Sequence, residues 1–301
     1  MGSPTVLKQI LIFYLPPTPN PPRSTMADQG TLVPSTNRKR RRGKETEPAP
    51  PMASPNSSSY FSRSLPACGV ERLGFSFFNQ PCEQLARAML GQTLVRRVPG
   101  VEGALRARVV ESEAYPGGLD EASHSRHGRR TPRNVAMFMP PGTLYVYRIY
   151  GLHCCLNVSS RGEGSAVLLR ALQPLEGVAT MRLLRQKPQQ ASTKCGRGQL
   201  PDRKLCNGPG KLCQALSISC ALDRTDAASE DSELWFERGE GDVGEESMVA
   251  ARRVGITSAG DWAERPWRFY IRGNECVSVV DKTAEQLALR VTQKQDTGDQ
   301  G

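Results

Sequence analysis

The chain has 301 residues and a formal net charge of +10, a length that suits one large domain or two small ones. The apolar stretch at residues 9–15 is too short to span a bilayer, and no cleavage pattern typical of a secretory signal follows it. The number of cysteines, nine, is odd, and no secretory signal is recognised. Both observations favour free thiols in a reducing compartment over a disulfide scaffold.

Residues 1–68 are predicted to be a disordered tail. They are rich in Pro, Ser, Thr and charge, and too poor in large apolar groups for burial to offset the entropy of ordering. Up to Ala67 the tail carries nine Lys or Arg against three Asp or Glu, so it supplies most of the net charge. We therefore expect one folded domain at residues 69–290 and a second disordered tail at residues 291–301.

A run of five basic residues marks the N-terminal tail: Arg38, Lys39, Arg40, Arg41 and Arg42. Such a run is typical of a nuclear localisation signal or a nucleic-acid tether, although a solvated charge cluster is the plainer interpretation. We expect localisation in the nucleus and leave import into the mitochondrion open. Met26 is an alternative start that would remove the apolar stretch and keep the basic run.

The folded part is predicted to open with a helix that Asn79 caps, with Pro81 in its first turn and its end at Gly91. Its apolar stripe would contain Leu85, Met89 and Leu90. The later predicted elements are strands at 93–98, 105–111, 143–150, 154–160 and 167–172, a helix at 175–185, a basic loop at 186–204, a short helix at 208–216, strands at 267–271 and 277–280, and a last helix to about Leu289.

Strands that are joined by short turns and interrupted by helices predict an α+β fold. We expect a single compact domain built on a curved, mainly antiparallel β-sheet with flanking helices and a protruding β-hairpin. Gly151 and Leu152 would form the turn of that hairpin, with Tyr150 at its tip. A tyrosine at a tip has little to pack against, so its position beside Arg148 favours stacking on or wedging between nucleic-acid bases.

Motifs for metal binding or a nucleophile are weak. No Cys-x-x-Cys pair occurs, and His124 and His127, near Asp120 and Glu121, are only a pair three residues apart. A nucleophile such as Cys155 would point to the opposite strand face from its neighbour His153. We therefore expect neither a metal nor a cofactor.

The segment Glu111-Ser-Glu113-Ala-Tyr115 ends a hydrophobic strand. Because alternate residues of a strand share a face, Glu111, Glu113 and Tyr115 would point to the same side of the sheet. A solvated polar edge is the plainer interpretation of this pattern. If the face lines a cleft, a carboxylate there is a natural general base, but composition does not separate Glu113 from Glu111.

Several segments together resemble the alkyladenine (3-methyladenine) DNA glycosylase family of vertebrates and bacteria. The resemblance covers about residues 72–290 and departs from the family pattern at Leu152 and His153, where methionine and an aromatic residue are usual. The matching segments are Val110-Glu-Ser-Glu-Ala-Tyr115, Asp120-Glu-Ala-Ser-His-Ser-Arg126, Thr131-Pro-Arg-Asn134, Met137-Phe-Met139, Pro141-Gly-Thr-Leu-Tyr-Val-Tyr147, Ile149-Tyr-Gly151, Leu168-Leu-Arg-Ala-Leu172, Gly208-Pro-Gly-Lys-Leu-Cys213 and Arg268-Phe-Tyr-Ile-Arg-Gly273.

The resemblance implies a role for each site residue. Glu113 would be the general base that activates water, helped by Arg170 and the main-chain carbonyl of Val254, and Tyr150 would be the minor-groove wedge. Asn157 would line the pocket floor and exclude the amino group of guanine. The base pocket would contain Tyr115, His124 and Tyr147 besides Asn157, and contacts to the DNA backbone would come from Arg129, Thr131 and Lys211.

The function so implied is base-excision repair. The enzyme would flip alkylated or deaminated purines out of double-stranded DNA through its minor groove and hydrolyse the N-glycosidic bond. Its substrates would be 3-methyladenine, 7-methylguanine, hypoxanthine and etheno-adenine, and as a monofunctional enzyme without a lyase step it would leave an abasic site. We expect a monomer that binds no membrane. The alternative is a non-catalytic minor-groove protein that bends DNA.

Overall fold

A computed structural model describes residues 71–186, 199–241 and 243–298, and the predicted tail of residues 1–68 with its basic run at 38–42 lies outside them. The described part is an α+β structure with an eight-stranded sheet, in which every pairing between strands is antiparallel. The predicted fold class is confirmed. No helix in these ranges is long and apolar enough to cross a membrane.

The strands are β1 (Thr93–Arg96), β2 (Leu105–Tyr115), β3 (Leu144–Ile149), β4 (His153–Ser159), β5 (Ala166–Glu176), β6 (Leu234–Glu237), β7 (Met248–Ala251) and β8 (Arg268–Ile271). The α-helices are α1 (Phe75–Phe78), α2 (Cys82–Ala88), α3 (Val178–Arg185), α4 (Pro209–Ala215) and α5 (Lys282–Gly298). Short 3₁₀ helices lie at Val135–Phe138, Asp202–Lys204, Cys220–Leu222, Glu245–Ser247 and Thr257–Ala263.

The long strand β2 organises the sheet, whose order is β3-β4-β5-β2-β1-β6. Along one side β2 pairs with β5, and along the other it pairs first with β1 and then with β8, which carries β7 at its outer edge. The hydrophobic core lies on one face of this sheet. There Leu85 of α2 and Leu212 of α4 join Leu94 and Leu169 from the strands, and all four are buried.

Two matched β-bulges change which side chains of β2 and β5 face the hydrophobic core. Val109 pairs with Leu172 and Glu111 with Ala171, so β2 has one extra residue; Ser112 then pairs with Leu169, so β5 has one extra as well. Before the bulge Val109 faces the core, whereas after it Ser112 takes that side and donates a hydrogen bond to a carbonyl of α2. A bulge re-aims the side chains that follow it, and here it turns Glu111 away from the core.

Several predicted elements need correction. The first long helix begins after Pro81 instead of being capped by Asn79, and a short helix, α1, precedes it. The strands β6 and β7 were not predicted. Helix α3 begins at residue 178 because Gly177, in the left-handed region with φ of 74°, separates it from β5.

Two further predictions fail near the C-terminus. Residues 277–280 do not form a strand, because their backbone instead serves buried side chains: Ser278 N–H donates to Glu111, and Val279 C=O accepts from Arg268. The last helix does not end near Leu289 but continues to Gly298, so residues 291–298 are helical. No Gly or Pro interrupts this segment before Gly298, which explains its continuity.

Candidate active site

A cavity of about 250 Å³ lies on the sheet face opposite the core. Leu168 and Arg170 of β5 line it, whereas the alternating residues Val167 and Leu169 point into the core. The cavity brings together six of the predicted site residues: Tyr115, His124, Tyr147, Asn157, Arg170 and Val254.

Glu113 lies behind the wall of this cavity with none of its side chain exposed. Its Oε1 accepts a hydrogen bond from the Val254 N–H at 2.7 Å and lies 3.3 Å from Nη1 of Arg170, and its Oε2 accepts from the Tyr115 hydroxyl at 2.8 Å. Burial raises the pKa of Glu113 above its usual value, against the lowering effect of Arg170 and the two hydrogen bonds. The solvated-edge interpretation is therefore wrong, and Val254 contacts the carboxylate through its N–H.

Arg170 is shared between the two carboxylates of β2. Its Nε donates to Oε1 of Glu111 at 3.1 Å, while its Nη1 faces Glu113. Burial acts to lower the pKa of Arg170, but the charges of Glu113 and Glu111 outweigh it and the pKa is raised. The guanidinium is thus a permanent positive charge beside the cavity.

Tyr115 is held as a neutral hydrogen-bond donor. Burial, followed by the neighbouring charge of Glu113, raises the pKa of its phenol well above the usual value. The guanidinium of Arg253 lies over its ring, 4.7 Å from the centroid. Because the hydroxyl stays protonated, it can donate to the Glu113 carboxylate throughout the physiological pH range.

Aromatic rings form much of the cavity lining. The rings of Tyr145 and Tyr147 are 5.0 Å apart, and His124 stands edge-on to Tyr147 at 4.9 Å. Nδ1 of His124 lies 2.8 Å from the Tyr145 hydroxyl. Burial, then the charges of Arg133 and Arg126, lower the pKa of His124, so its imidazole is neutral at pH 7.

Asn157 of β4 lines the cavity. It is 5% exposed, and its Nδ2 donates to the backbone oxygen of Tyr145 at 3.0 Å. This bond fixes the amide plane on β4. A rigid side chain of this kind can reject a ligand by shape, because it cannot move aside.

Tyr150 stands at the tip of the β3–β4 hairpin, as predicted, with 90% of its surface exposed. Tyr150 and Gly151 both have positive φ, 51° and 69°, in a turn that Leu152 N–H closes on the Ile149 oxygen. The left-handed region is unfavourable for a residue with a bulky side chain. Packing therefore does not explain why a tyrosine stands at this position.

The three residues predicted to contact the DNA backbone lie at the surface or in a loop. Arg129 is exposed, as is Lys211 of α4, whose Nζ donates to Oδ1 of Asn207 at 2.9 Å. Thr131 donates from its N–H and its hydroxyl to Oδ1 of Asn134, whose amide in turn donates to the backbone oxygen of His124. Thr131 therefore helps to fix the loop that carries His124.

Two arginines of the site were missed by sequence reasoning. Arg253 forms a fully buried ion pair with Asp120, and Arg268 contacts Glu111 at 3.1 Å. A signal existed for Arg268, which stands between Trp267 and Phe269: an arginine in an apolar strand must find a partner. Across the described ranges no group of three or more His, Cys, Asp or Glu side chains is placed to hold a metal ion.

The residues that build this site lie within a region of similarity to known proteins. Residues 76–275 match the methylpurine-DNA glycosylase family. Human DNA-3-methyladenine glycosylase is 55% identical over 238 residues, 79% of this chain and 77% of the human protein. The mouse enzyme of that name is 55% identical over 232 residues, 76% of this chain and 67% of its own length. A probable DNA-3-methyladenine glycosylase of Encephalitozoon cuniculi is 45% identical over 200 residues, 66% of this chain and 89% of its own.

The family match spans more than half of this chain, and the human relative is similar over more than two thirds of both proteins. The resemblance found in the sequence motifs is therefore confirmed, and the chain belongs to the methylpurine-DNA glycosylase family.

Proposed function

We propose that this protein is a base-excision-repair DNA glycosylase that flips a damaged purine into the cavity and hydrolyses its N-glycosidic bond. The observation that carries the proposal is the buried Glu113 carboxylate, held by two hydrogen bonds and an ion pair beside an aromatic cavity. The names of the human and mouse relatives, DNA-3-methyladenine glycosylases, support the same chemistry.

Glu113 is the general base. It removes a proton from a water molecule whose oxygen bonds to C1′ of the sugar, while the C1′–N bond breaks and its electron pair leaves with the purine. A carboxylate can accept about four hydrogen bonds, so three existing contacts leave room for this water. Arg170 and the Val254 N–H hold the carboxylate in place as it takes up the proton.

The lining of the cavity supports the proposed range of lesions. Alkylation at N3 or N7, as in 3-methyladenine and 7-methylguanine, makes the purine cationic, which suits aromatic rings and the neutral imidazole of His124. Stacking between Tyr115 and Tyr147 contributes about 1–3 kcal/mol per base and offsets much of the cost of unstacking. Hypoxanthine and etheno-adenine are neutral, so their release needs protonation of the leaving base.

Asn157 supplies discrimination. Its amide is fixed against the cavity, where it clashes with the exocyclic amino group of guanine. 7-Methylguanine carries the same amino group, but its cationic ring is a better leaving group, so it is released despite the clash. The reaction stops at the abasic site, because no lysine is among the described residues that line the cavity and could form a Schiff base.

DNA binds through its minor groove. The exposed Tyr150 wedges into the base stack and fills the gap that the flipped nucleotide leaves. Arg129, Thr131 and Lys211 contact the backbone, and the protein acts as a monomer. The basic run at residues 38–42 directs it to the nucleus.

The test uses a duplex that carries one hypoxanthine, treated with alkali after incubation so that each abasic site becomes a strand break. Glu113→Gln should lower the rate by about 10²–10⁴-fold, the usual contribution of a general base. The matched control is Glu245→Gln, whose side chain is 81% exposed and pairs with Arg87, and it should keep the parent rate. Undiminished cleavage by Glu113→Gln would remove Glu113 from this role.

A non-catalytic DNA-bending protein is the second candidate, which the exposed wedge Tyr150 favours. Such a protein would have no use for a buried carboxylate beside a cavity. The same assay separates the two: a bending protein shifts the duplex in a gel and produces no alkali-sensitive site with any damaged purine.

A further inference from the structure

Arg170 uses each of its three guanidinium nitrogens on a different partner. Nε donates to Glu111 at 3.1 Å, Nη2 donates to the Ser278 hydroxyl at 3.3 Å, and Nη1 lies 3.3 Å from Glu113. The guanidinium is therefore oriented by two partners that do not touch the cavity, and only its third nitrogen faces the proposed base.

Glu111, the first of those partners, is itself rigidly held. It is fully buried; its Oε1 also accepts from Nη1 of Arg268 at 3.1 Å, and its Oε2 accepts from the Ser278 N–H at 2.7 Å. Arg268 is anchored in turn by the backbone oxygens of Arg252 and Val279, at 2.6 and 2.8 Å. Nothing in this network depends on a bound ligand.

We propose that Glu111 is a positioning residue for the hydrolysis: it holds Arg170 by the Nε edge, so that the guanidinium reaches Glu113 with one nitrogen only. The proposal rests on the role of Glu113 as the general base. The two carboxylates of β2 then have different roles: Glu111 orients Arg170, and Glu113 accepts the proton.

The division matters because an arginine can bind a carboxylate with two parallel hydrogen bonds, and that fork is among the strongest pairings in proteins. A Glu113 bound in this way would be a weaker base. With Glu111 present, the buried cluster of Glu111, Glu113, Arg170 and Arg268 has no net formal charge. Glu111 raises the pKa of Glu113 while Arg170 lowers it, in agreement with a balance between the two.

Removal of the Glu111 charge should upset this balance in a defined direction. In Glu111→Gln the cluster carries one excess positive charge, and Arg170 is free to turn its second nitrogen towards Glu113. The pKa of Glu113 then falls. The acidic limb of the pH–rate profile, where the base becomes protonated, moves to lower pH by about one unit. The plateau rate falls as well, by about tenfold or more, because the carboxylate is a weaker base.

The experiment is a single-turnover pH–rate profile on a duplex that contains 7-methylguanine, a cationic lesion whose release needs no acid, so that the acidic limb of the profile reports the base. The matched control is Glu237→Gln, which also removes a buried glutamate that is paired with an arginine, Arg106. Glu237 lies on β6, three strands away from β5, which carries Arg170. Both variants should lose thermal stability, whereas only Glu111→Gln should shift the acidic limb. The proposal is overturned if Glu111→Gln loses stability but its acidic limb does not move. It is also overturned if Glu111→Gln reacts at the same rate as the parent protein.

If Glu111→Gln does not fold, Glu111→Asp carries the test. The shorter side chain keeps the charge but draws the carboxylate back from Arg170, so the rate should fall while the limb stays close to that of the parent; an unchanged rate contradicts the proposal.

Glu113→Gln distinguishes failure of the proposed general base from failure of the positioning role. If that variant remains active, the proposed role of Glu113 fails; if it is inactive and Glu111→Gln behaves as the parent, only the positioning role fails.

Discussion

The buried ion pair between Asp120 and Arg253 joins two loops of the site. Nη1 and Nη2 of Arg253 donate to the two carboxylate oxygens of Asp120 at 2.6 and 2.8 Å, and both side chains are fully buried. Arg253 also donates to the backbone oxygens of Ala114 and Trp262. One loop leads to His124 and the other to Val254, so the pair fixes both sides of the cavity.

We predict that Asp120→Asn lowers the free energy of unfolding by about 3–5 kcal/mol, because it keeps the shape of the side chain but leaves a buried guanidinium without its countercharge. A typical domain is stable by about 5–15 kcal/mol, so the loss would be a large share of the total. The pair itself need not add net stability; the cost comes from the uncompensated charge that remains.

The measurement is urea denaturation followed by tryptophan fluorescence, with Glu264→Gln as the control. Glu264 pairs with Arg252, the residue before Arg253, but their side chains are 60% and 66% exposed. Exposed pairs contribute about 0–1 kcal/mol, so the control should unfold close to the parent midpoint. If Asp120→Asn and Glu264→Gln lost the same small amount, the reasoning from burial would be refuted.

Two predictions concern the binding of the base. Tyr150→Ala should weaken capture of an extruded etheno-adenine by about 1–3 kcal/mol, the contribution of one stacking contact, while the chemical step is largely spared. The fluorescence of the unstacked lesion measures this equilibrium, and an unchanged value would remove the wedge role of Tyr150. Asn157→Ser should release more unmodified guanine from duplex DNA than the parent does, because the shorter side chain relieves the clash. Equal release from both proteins, measured by chromatography of the freed bases, would contradict the steric account.

The local features of the site could be predicted from the sequence. Residues 143–150 are rich in β-branched and aromatic side chains and are followed by Gly151, which predicts a strand and a hairpin turn; the structure has β3, a turn and β4 there with Tyr150 at the tip. The shared face of Glu113 and Tyr115 also follows from two-residue periodicity, and their direct hydrogen bond agrees with it. Both features depend only on residues that are close in the chain.

Long-range features could not be predicted in this way. The segment at 277–280 has the composition of a strand, yet its backbone hydrogen-bonds to Glu111 and Arg268, which are distant in sequence. Likewise, nothing local pairs Asp120 with Arg253, 133 residues away. Residues that are close in the chain can adopt only a few relative arrangements, whereas a buried charge can be paired with a residue from any part of the chain.

The placement of Glu111 and Glu113 on the cavity side is also a long-range feature, because the matched bulges in β2 and β5 determine it. Without them, strict alternation in β2 would put Leu105, Ala107 and Val109 on the same face as both glutamates, and two carboxylates would enter the core. The extra residue in β2 turns the glutamates to the other face. The extra residue in β5 lets Arg170 and Ala171 both point to that face before Leu172 returns to the core.

Both bulges are therefore needed to bring the two carboxylates and Arg170 together. A bulge in β2 alone would bring the carboxylates to the cavity side without restoring the register of β5, and the arginine between them would not meet both. Because each strand gains one residue within the same stretch of the ladder, the pairing recovers beyond it, and Glu113, the proposed base, lies opposite Leu168 of the cavity wall. The irregularity in the sheet thus creates the site: it places a charged cluster on a strand whose other half is part of the hydrophobic core.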